Sequence, residues 1–243
     1  PLHRLVDRGG GLLGICNGFQ VLVKTGFLPG GEVGRGHVTV TYNDSARFEA
    51  RWVRLEVCTD RCPFLTPVDR KEWRAAGFSP RGDPERAAGF SPRGDPERAA
   101  GFSPRGDSIG QERQIASGRP RGLKPSARDM NRLYLELPVE HAEGKVVTAS
   151  ENITIRLKEH GQIAVRYVDT EDRHDTYPAN PNGSVAGIAG LCDPTGRIFG
   201  LMPHPDRHFE HTHHPHWTRR TPEGPPDGLT VFQNAVRYWS THK

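Results

Sequence analysis

The chain has 243 residues, of which 34% are hydrophobic and 26% charged, and its formal net charge is +4. This length predicts one or two domains. No run of 18 uncharged apolar residues occurs, which excludes a membrane-spanning helix, and the first residues lack the apolar core of a secretory signal. Four scattered cysteines are typical of free thiols in a reducing compartment. We therefore expect a cytoplasmic protein.

Regular elements are predicted from the first residues onward. Residues 9–16 have the pattern of a short buried strand that ends at a turn, and residues 17–25 that of a helix with Gly26 as its C-cap. Alternating apolar residues predict strands at 37–42 and 48–57.

The central segment 68–128 has a different character. A 12-residue unit, RAAGFSPRGDPE, starts at Arg74 and again at Arg86, and a third copy starting at Arg98 is incomplete. The unit lacks a helical or strand period, so we predict a low-complexity insert that is largely disordered. The segment carries 13 Lys or Arg against 8 Asp or Glu, so the basicity of the chain is local to it. The residues on either side of this segment lack the excess positive charge that would favour binding to nucleic acid.

After the insert, strands are predicted at 146–148, 162–167, 188–192 and 197–202, the last two joined by an Asp-Pro-Thr-Gly turn. A helix is predicted at 151–160 with Ile153, Ile155 and Leu157 as its apolar residues. A second helix at 229–239 would place four apolar residues on one face: Leu229, Phe232, Val236 and Trp239. The mixture of strands and helices predicts an α/β fold.

The first chemical signal is the pentapeptide Gly14-Ile15-Cys16-Asn17-Gly18, the cysteine form of the nucleophile elbow. Glycine is expected at positions 14 and 18 because a side chain at either position would clash across a tight strand-to-helix turn. Cys16 would sit at a helix N-terminus, where the helix dipole favours the reactive thiolate, and the N–H of Asn17 would face a developing oxyanion. The competing interpretation is a structural cysteine in a glycine-rich turn.

The second signal is His204, which follows a predicted strand and lies between two prolines. Pro205 favours an extended conformation at His204, and Asp206 is placed to hold the imidazole. Cys16, His204 and Asp206 would then form a nucleophile, base and carboxylate set in that chain order.

Around these signals the sequence resembles the class I, triad-type glutamine amidotransferases, and among them the glutaminase subunits or domains of phosphoribosylformylglycinamidine synthases. The resemblance covers about 1–67 and 129–243, whereas the insert has no counterpart. Its stretches occur in the order of that family: 11–30, 47–52, 137–145, 177–184 and 200–206.

The resemblance implies a flavodoxin-like mixed sheet with helices on both faces. It implies Cys16 as nucleophile, His204 as base and then acid, and Asp206 as the orienting carboxylate. Four further residues are implied substrate contacts or neighbours of the site: Asn17, Gln20, His141 and Glu143. A solvated loop remains the alternative for the last two.

Two departures from the family pattern accompany this resemblance. The family has Glu at the position of Asp206, and its first strands, with a second oxyanion donor, would precede Pro1. From the sequence we therefore expect an N-terminally truncated copy with an incomplete oxyanion hole.

The implied reaction is glutamine hydrolysis through a γ-glutamyl thioester. The ammonia would pass to a formylglycinamide ribonucleotide synthetase subunit or domain, which would hold ATP and Mg²⁺, so no cofactor is expected in this chain. Neither a nucleic-acid nor a membrane partner is expected.

Two rival functions stay open at this point: an inactive fragment that at most docks on a synthetase, and a cysteine hydrolase without ammonia transfer. Metal sites are disfavoured at Cys58 and Cys62, which lack a second ligand pair, and at the histidines of 204–216, which have no ligand spacing.

Overall fold

The structure is a computed structural model that describes residues 1–66, 133–220 and 224–242. The predicted insert, 68–128, lies outside the described residues, and its prediction stays open.

The described residues form four α-helices and eight β-strands. The helices are α1 (Leu2–Asp7), α2 (Asn17–Thr25), α3 (Glu151–Glu159) and α4 (Asp227–Thr241). The strands are β1 (Leu12–Ile15), β2 (Val38–Thr41), β3 (Glu49–Val57), β4 (Tyr134–His141), β5 (Lys145–Thr148), β6 (Ile163–Val168), β7 (Ile188–Cys192) and β8 (Ile198–Leu201). Within the described ranges, every helix is too short or too polar to span a bilayer.

Six strands form one mixed sheet in the order β1-β8-β7-β6-β3-β4, and β2 pairs with β5 in a separate two-stranded sheet. The β1–β8 pair is parallel, with Ile15 opposite Leu201, whereas the other pairs of the large sheet are antiparallel. Because β1 and β8 run in the same direction, the residues that follow them emerge side by side at one edge.

Helices cover both faces of the sheet, as β8 illustrates. Phe199 and Leu201 belong to an apolar cluster that contains Val231 of α4. A Cβ at Gly200 would lie 2.3 Å from the ring of Phe19 of α2, on the opposite face. The second cluster is built around Phe19 and includes residues of α3. The predicted mixed sheet with helices on both faces is confirmed.

The buried residues of the two later helices differ from the apolar residues on which their predictions rested. Ile155 is 46% exposed and Val236 is 67% exposed. In α3 the buried pair is Ile153 and Leu157, four residues apart, and Ile155 points away because two residues span about 200° of helical rotation. In α4 the buried face is centred on Val231 and Asn234 instead.

Strand β4 was not predicted, because Pro138 interrupts its apolar pattern. The structure places β4 at an edge of the sheet, with Pro138 opposite Trp52 of β3. An edge strand tolerates proline because the missing N–H falls on the side without a neighbouring strand. The carbonyl oxygen of Pro138 accepts the backbone N–H of His204 at 2.8 Å, which brings β4 to the segment after β8.

Candidate active site

Cys16 occupies the sharp turn between β1 and α2 with φ of 53° and ψ of −107°. A non-glycine residue in this region is strained, and such strain concentrates at functional sites. A Cβ at Gly14 would lie 2.7 Å from the backbone of Gly18 and 2.6 Å from Leu22, so glycine is required there. The prediction for the second glycine was wrong, since a Cβ at Gly18 meets nothing within 4 Å among the described residues.

The Cys16 thiol is half-buried against the end of β4. Its Sγ lies 4.0 Å from the carbonyl oxygen of Glu140. Burial raises the pKa of the thiol, while the backbone N–H of Asn17 and the charge of Arg207 offset part of that effect. The expected helix-terminus preference for thiolate is therefore outweighed in the free chain, and activation of Cys16 requires a base.

A candidate for that base lies after the end of the neighbouring parallel strand. His204 follows β8 by three residues and introduces a short 3₁₀ turn, Pro205–Arg207. Its Nδ1 lies 3.2 Å from Oδ1 of Asp206, and because an ionised carboxylate only accepts, Nδ1 carries the proton. Nε2 is then the free basic nitrogen; it is buried and has no hydrogen-bond partner among the described residues. The Asp206 side chain is 47% exposed.

A charged pair missed by the sequence analysis borders the thiol. Arg207 forms a salt bridge with Glu140, and the charges of both residues act on the pKa of Cys16 in opposite directions. The sequence did not reveal this pair, because its two residues lie 67 positions apart. The only signal was that Arg207 follows Asp206 and Glu140 precedes His141.

Of the implied substrate contacts, Asn17 and Gln20 lie in α2 and Glu143 lies in the loop between β4 and β5. Asn17 is exposed, and its backbone rather than its side chain contacts the thiol. The side chain of Gln20 donates to the carbonyl oxygen of Glu143 at 2.7 Å, while Glu143 itself is exposed. Gln20 and Glu143 also line a cleft of about 360 Å³ between α2 and β2, and neither Cys16 nor His204 lines that cleft.

His141 is buried at the end of β4, with 4% of its surface exposed. Its Nδ1 lies 3.1 Å from Oδ1 of Asn43, and its Nε2 is buried without a partner among the described residues. Burial lowers the pKa of His141 to about 4, and the charge that His204 can carry contributes to this shift. The imidazole is therefore neutral at neutral pH, and the two imidazoles are close enough to interact.

The segment containing Asn182 and Ser184 anchors the loop after β4. The side chain of Asn182 donates to the carbonyl oxygen of Gly144 at 2.7 Å and to the hydroxyl of Tyr167 at 3.2 Å. The hydroxyl of Ser184 accepts the N–H of Val146 at 2.9 Å. Burial raises the pKa of Tyr167, and the negative charge of a Cys16 thiolate raises it further. This segment therefore holds the loop after β4 in place.

The histidine-rich region does not assemble a metal site. Within the described ranges, no group of three or more His, Cys, Asp or Glu side chains is arranged to hold a metal ion. His208 and His214 instead pack against Trp52, with ring centroids 4.9 and 4.5 Å from the indole.

A strained cysteine at a strand-to-helix turn and an imidazole–carboxylate pair after the adjacent parallel strand form the arrangement expected of a cysteine-dependent acyl-transfer site. The family model for the CobB/CobQ-like glutamine amidotransferase domain matches residues 1–73 and 125–239. The chain belongs to this family of glutamine amidotransferases.

The curated relatives carry a more specific name. A phosphoribosylformylglycinamidine synthase subunit PurQ from Dehalococcoides mccartyi is 34% identical, covering 98% of this chain and 67% of the relative. The subunit PurQ from Archaeoglobus fulgidus is 30% identical, covering 98% of this chain and 66% of the relative. The chain thus spans about two thirds of the length of these relatives.

Among solved structures, PurLQS from Thermotoga maritima has a similar fold. The TM-score is 0.52 at 22% identity, with 98% of this chain and 66% of the other covered.

Proposed function

We propose that this chain is the glutaminase component of a phosphoribosylformylglycinamidine synthase, which hydrolyses glutamine to supply ammonia for purine biosynthesis. The observation that carries the proposal is the placement of Cys16 and His204 after two adjacent parallel strands, with Cys16 in the strained conformation of a nucleophile elbow. Family membership and PurQ relatives supply the reaction class and the substrate.

In this proposal His204 removes the proton of the Cys16 thiol through Nε2, because burial disfavours the free thiolate. The sulfur attacks the carboxamide carbon of glutamine, and the carbonyl electron pair moves to oxygen. The backbone N–H of Asn17, which lowers the pKa of the thiol, stabilises the developing oxyanion.

The tetrahedral intermediate then collapses. The carbonyl re-forms, the C–N bond breaks, and the nitrogen takes the proton from His204 to leave as ammonia. A water molecule, deprotonated by His204, attacks the resulting thioester and releases glutamate and the Cys16 thiol. Throughout both steps Asp206 holds Nδ1 of His204 protonated, which keeps Nε2 available.

Gln20 and Glu143 are proposed to contact the amino-acid end of glutamine from the neighbouring cleft. Gln20 bridges to the backbone of Glu143, so the two residues keep one position relative to the elbow. The exposed Glu143 carboxylate is free to face the α-ammonium group of the substrate.

The proposed partner is a PurL-type synthetase subunit or domain, supported by the PurLQS name of the structurally similar assembly. That partner would bind formylglycinamide ribonucleotide, ATP and Mg²⁺ and consume the ammonia, and the pair would act in the cytoplasm. A chain without catalysis that only docks on the synthetase is the rival hypothesis, and the PurQ relatives do not favour it.

Release of glutamate from glutamine by the chain mixed with its synthetase tests the proposal. Cys16→Ala should abolish release, whereas Cys58→Ala, which changes an exposed cysteine away from the elbow, should retain it. Binding to the synthetase without glutamate release by the unmodified chain would favour the docking hypothesis.

A further inference from the structure

The hydrogen bonds of Asn43 determine which nitrogen of His141 carries the proton. Asn43 is 3% exposed, and its Oδ1 accepts the N–H of Gly144 at 3.0 Å. Its Nδ2 donates to the carbonyl oxygens of Arg47 and His141 at 2.9 and 2.8 Å. Since these partners are a pure donor and two pure acceptors, the orientation of the amide is fixed.

It follows that Nδ1 of His141, which faces Oδ1 of Asn43, must donate. The neutral ring therefore has its proton on Nδ1 and a bare lone pair on Nε2. Gly144 closes the ring in from one side, because a Cβ there would lie 2.3 Å from the imidazole. The hydrogen bond to Asn43 and the packing against Gly144 thus fix the orientation of the ring and the direction of the Nε2 lone pair.

Two buried imidazole nitrogens are consequently left without a hydrogen-bond partner among the described residues: Nε2 of His141 and Nε2 of His204. Glu140, the residue before His141, places its carbonyl oxygen 4.0 Å from Sγ of Cys16, and the charge of His204 acts on the pKa of His141. Buried polar atoms in folded proteins nearly always have a partner, because leaving one unsatisfied is unfavourable. In the proposed mechanism Nε2 of His204 takes the proton of the Cys16 thiol, which leaves Nε2 of His141 as the acceptor for a substrate N–H. A primary carboxamide carries such N–H groups on its nitrogen.

We propose that Nε2 of His141 accepts an N–H of the glutamine carboxamide, and that Asn43 is the positioning residue that keeps this nitrogen free of a proton. This inference rests on the proposed function and assigns the leaving-group contact of the same site. With one N–H held by His141, the lone pair that develops on nitrogen in the tetrahedral intermediate turns toward the proton on His204. The C–N bond then breaks as that proton is transferred, and neutral ammonia leaves.

The same contact favours departure of the products. A thioester or the γ-carboxylate of glutamate offers no N–H, so it would place oxygen or sulfur lone pairs against Nε2 of His141. Nε2 of His141 also does not compete with the leaving group for a proton, because a pKa of about 4 leaves this nitrogen a hydrogen-bond acceptor at neutral pH.

The first test is the tautomer of His141 in the chain without its synthetase, measured by ¹⁵N–¹H correlation NMR of the imidazole nitrogens at neutral pH. We expect protonated Nδ1 and unprotonated Nε2, and mobile averaging between tautomers in Asn43→Ala. A proton on Nε2 in the unmodified chain would overturn the proposal without reference to any activity.

The second test compares two substrates with the chain in complex with its synthetase: glutamine, and the γ-methyl ester of glutamate, whose leaving group has no N–H. His141→Leu should lower kcat/KM for glutamine by roughly 10- to 100-fold relative to the ester. His141→Gln, which keeps an acceptor atom near the position of Nε2, should recover part of the selectivity. His37→Leu, at an exposed histidine outside the site, is the matched control.

The outcomes distinguish a failure of the proposed His141 contact from a failure of the proposed function. Equal losses on amide and ester in His141→Leu, with His141→Gln no better, would show that His141 only supports the fold. An unmodified complex that hydrolyses neither substrate would refute the proposed function instead.

Discussion

Replacing Asp206 by Asn removes the negative charge that holds the imidazole of His204. The Nδ1–Oδ1 distance is 3.2 Å and the carboxylate is 47% exposed, so this is a solvated contact. A hydrogen bond to a charged group contributes about 1.5–3 kcal/mol, and each 1.36 kcal/mol is tenfold in rate. After allowance for solvent screening we expect kcat to fall by roughly 10- to 50-fold, less than the roughly 10⁴-fold loss known for a buried triad carboxylate.

Steady-state glutaminase assays of the complex with its synthetase measure this effect. Asp206→Glu should retain or raise kcat, because the longer side chain matches the family pattern, and Glu210→Gln, another exposed carboxylate of the same segment, should have no effect. If Asp206→Asn keeps full kcat while His204→Ala is inactive, the carboxylate has no role and Cys16 and His204 act as a dyad.

Three further predictions concern stability and organisation. Gly14→Ala should destabilise the chain by about 1–3 kcal/mol in urea unfolding, because its Cβ would clash with the elbow, whereas Gly18→Ala has open space and should not. Burial raises the pKa of Asp227 to about 7, so the folded state binds more protons than the unfolded state between about pH 4 and 7, and stability should fall across that window. Asp227→Asn should flatten this dependence, and an unchanged pH profile would contradict the assignment. Residues 68–128 are still predicted to be a dispensable insert, so their deletion should leave kcat unchanged, because lengthening a loop adds little to the entropy cost of closing it. Loss of activity on deletion would show that the insert has a role.

Much of the framework was predictable because local signals were strong. Helix α2 has the predicted bounds, since Gly26 adopts the left-handed conformation expected of a C-cap, with φ of 84°. The Asp-Pro-Thr-Gly turn joins β7 to β8 because the Asp193 side chain accepts N–H groups of the turn and of Ile198. Strand β4 was not predicted, because an edge strand that contains a proline cannot be distinguished from a loop by its sequence alone.

The site was predictable only in its local parts. Cys16 and the His204–Asp206 pair lie in short motifs whose geometry depends on neighbouring residues. Asn43 gave no signal, because its role depends on hydrogen bonds to residues about 100 positions away. The burial that raises the pKa of the Cys16 thiol gave no signal in the sequence, and it outweighs the backbone N–H of Asn17 and the charge of Arg207.

Labelling with a diazo-ketone analogue of glutamine, followed by mass-spectrometric mapping, tests the central claim most directly. The electrophile requires a recognised glutamine-like group and an activated thiol, so both parts of the claim are tested together. The account predicts one adduct on Cys16 that excess glutamine suppresses and that His204→Ala slows. An adduct chiefly on the exposed Cys58, or labelling of Cys16 that glutamine does not suppress, would contradict it.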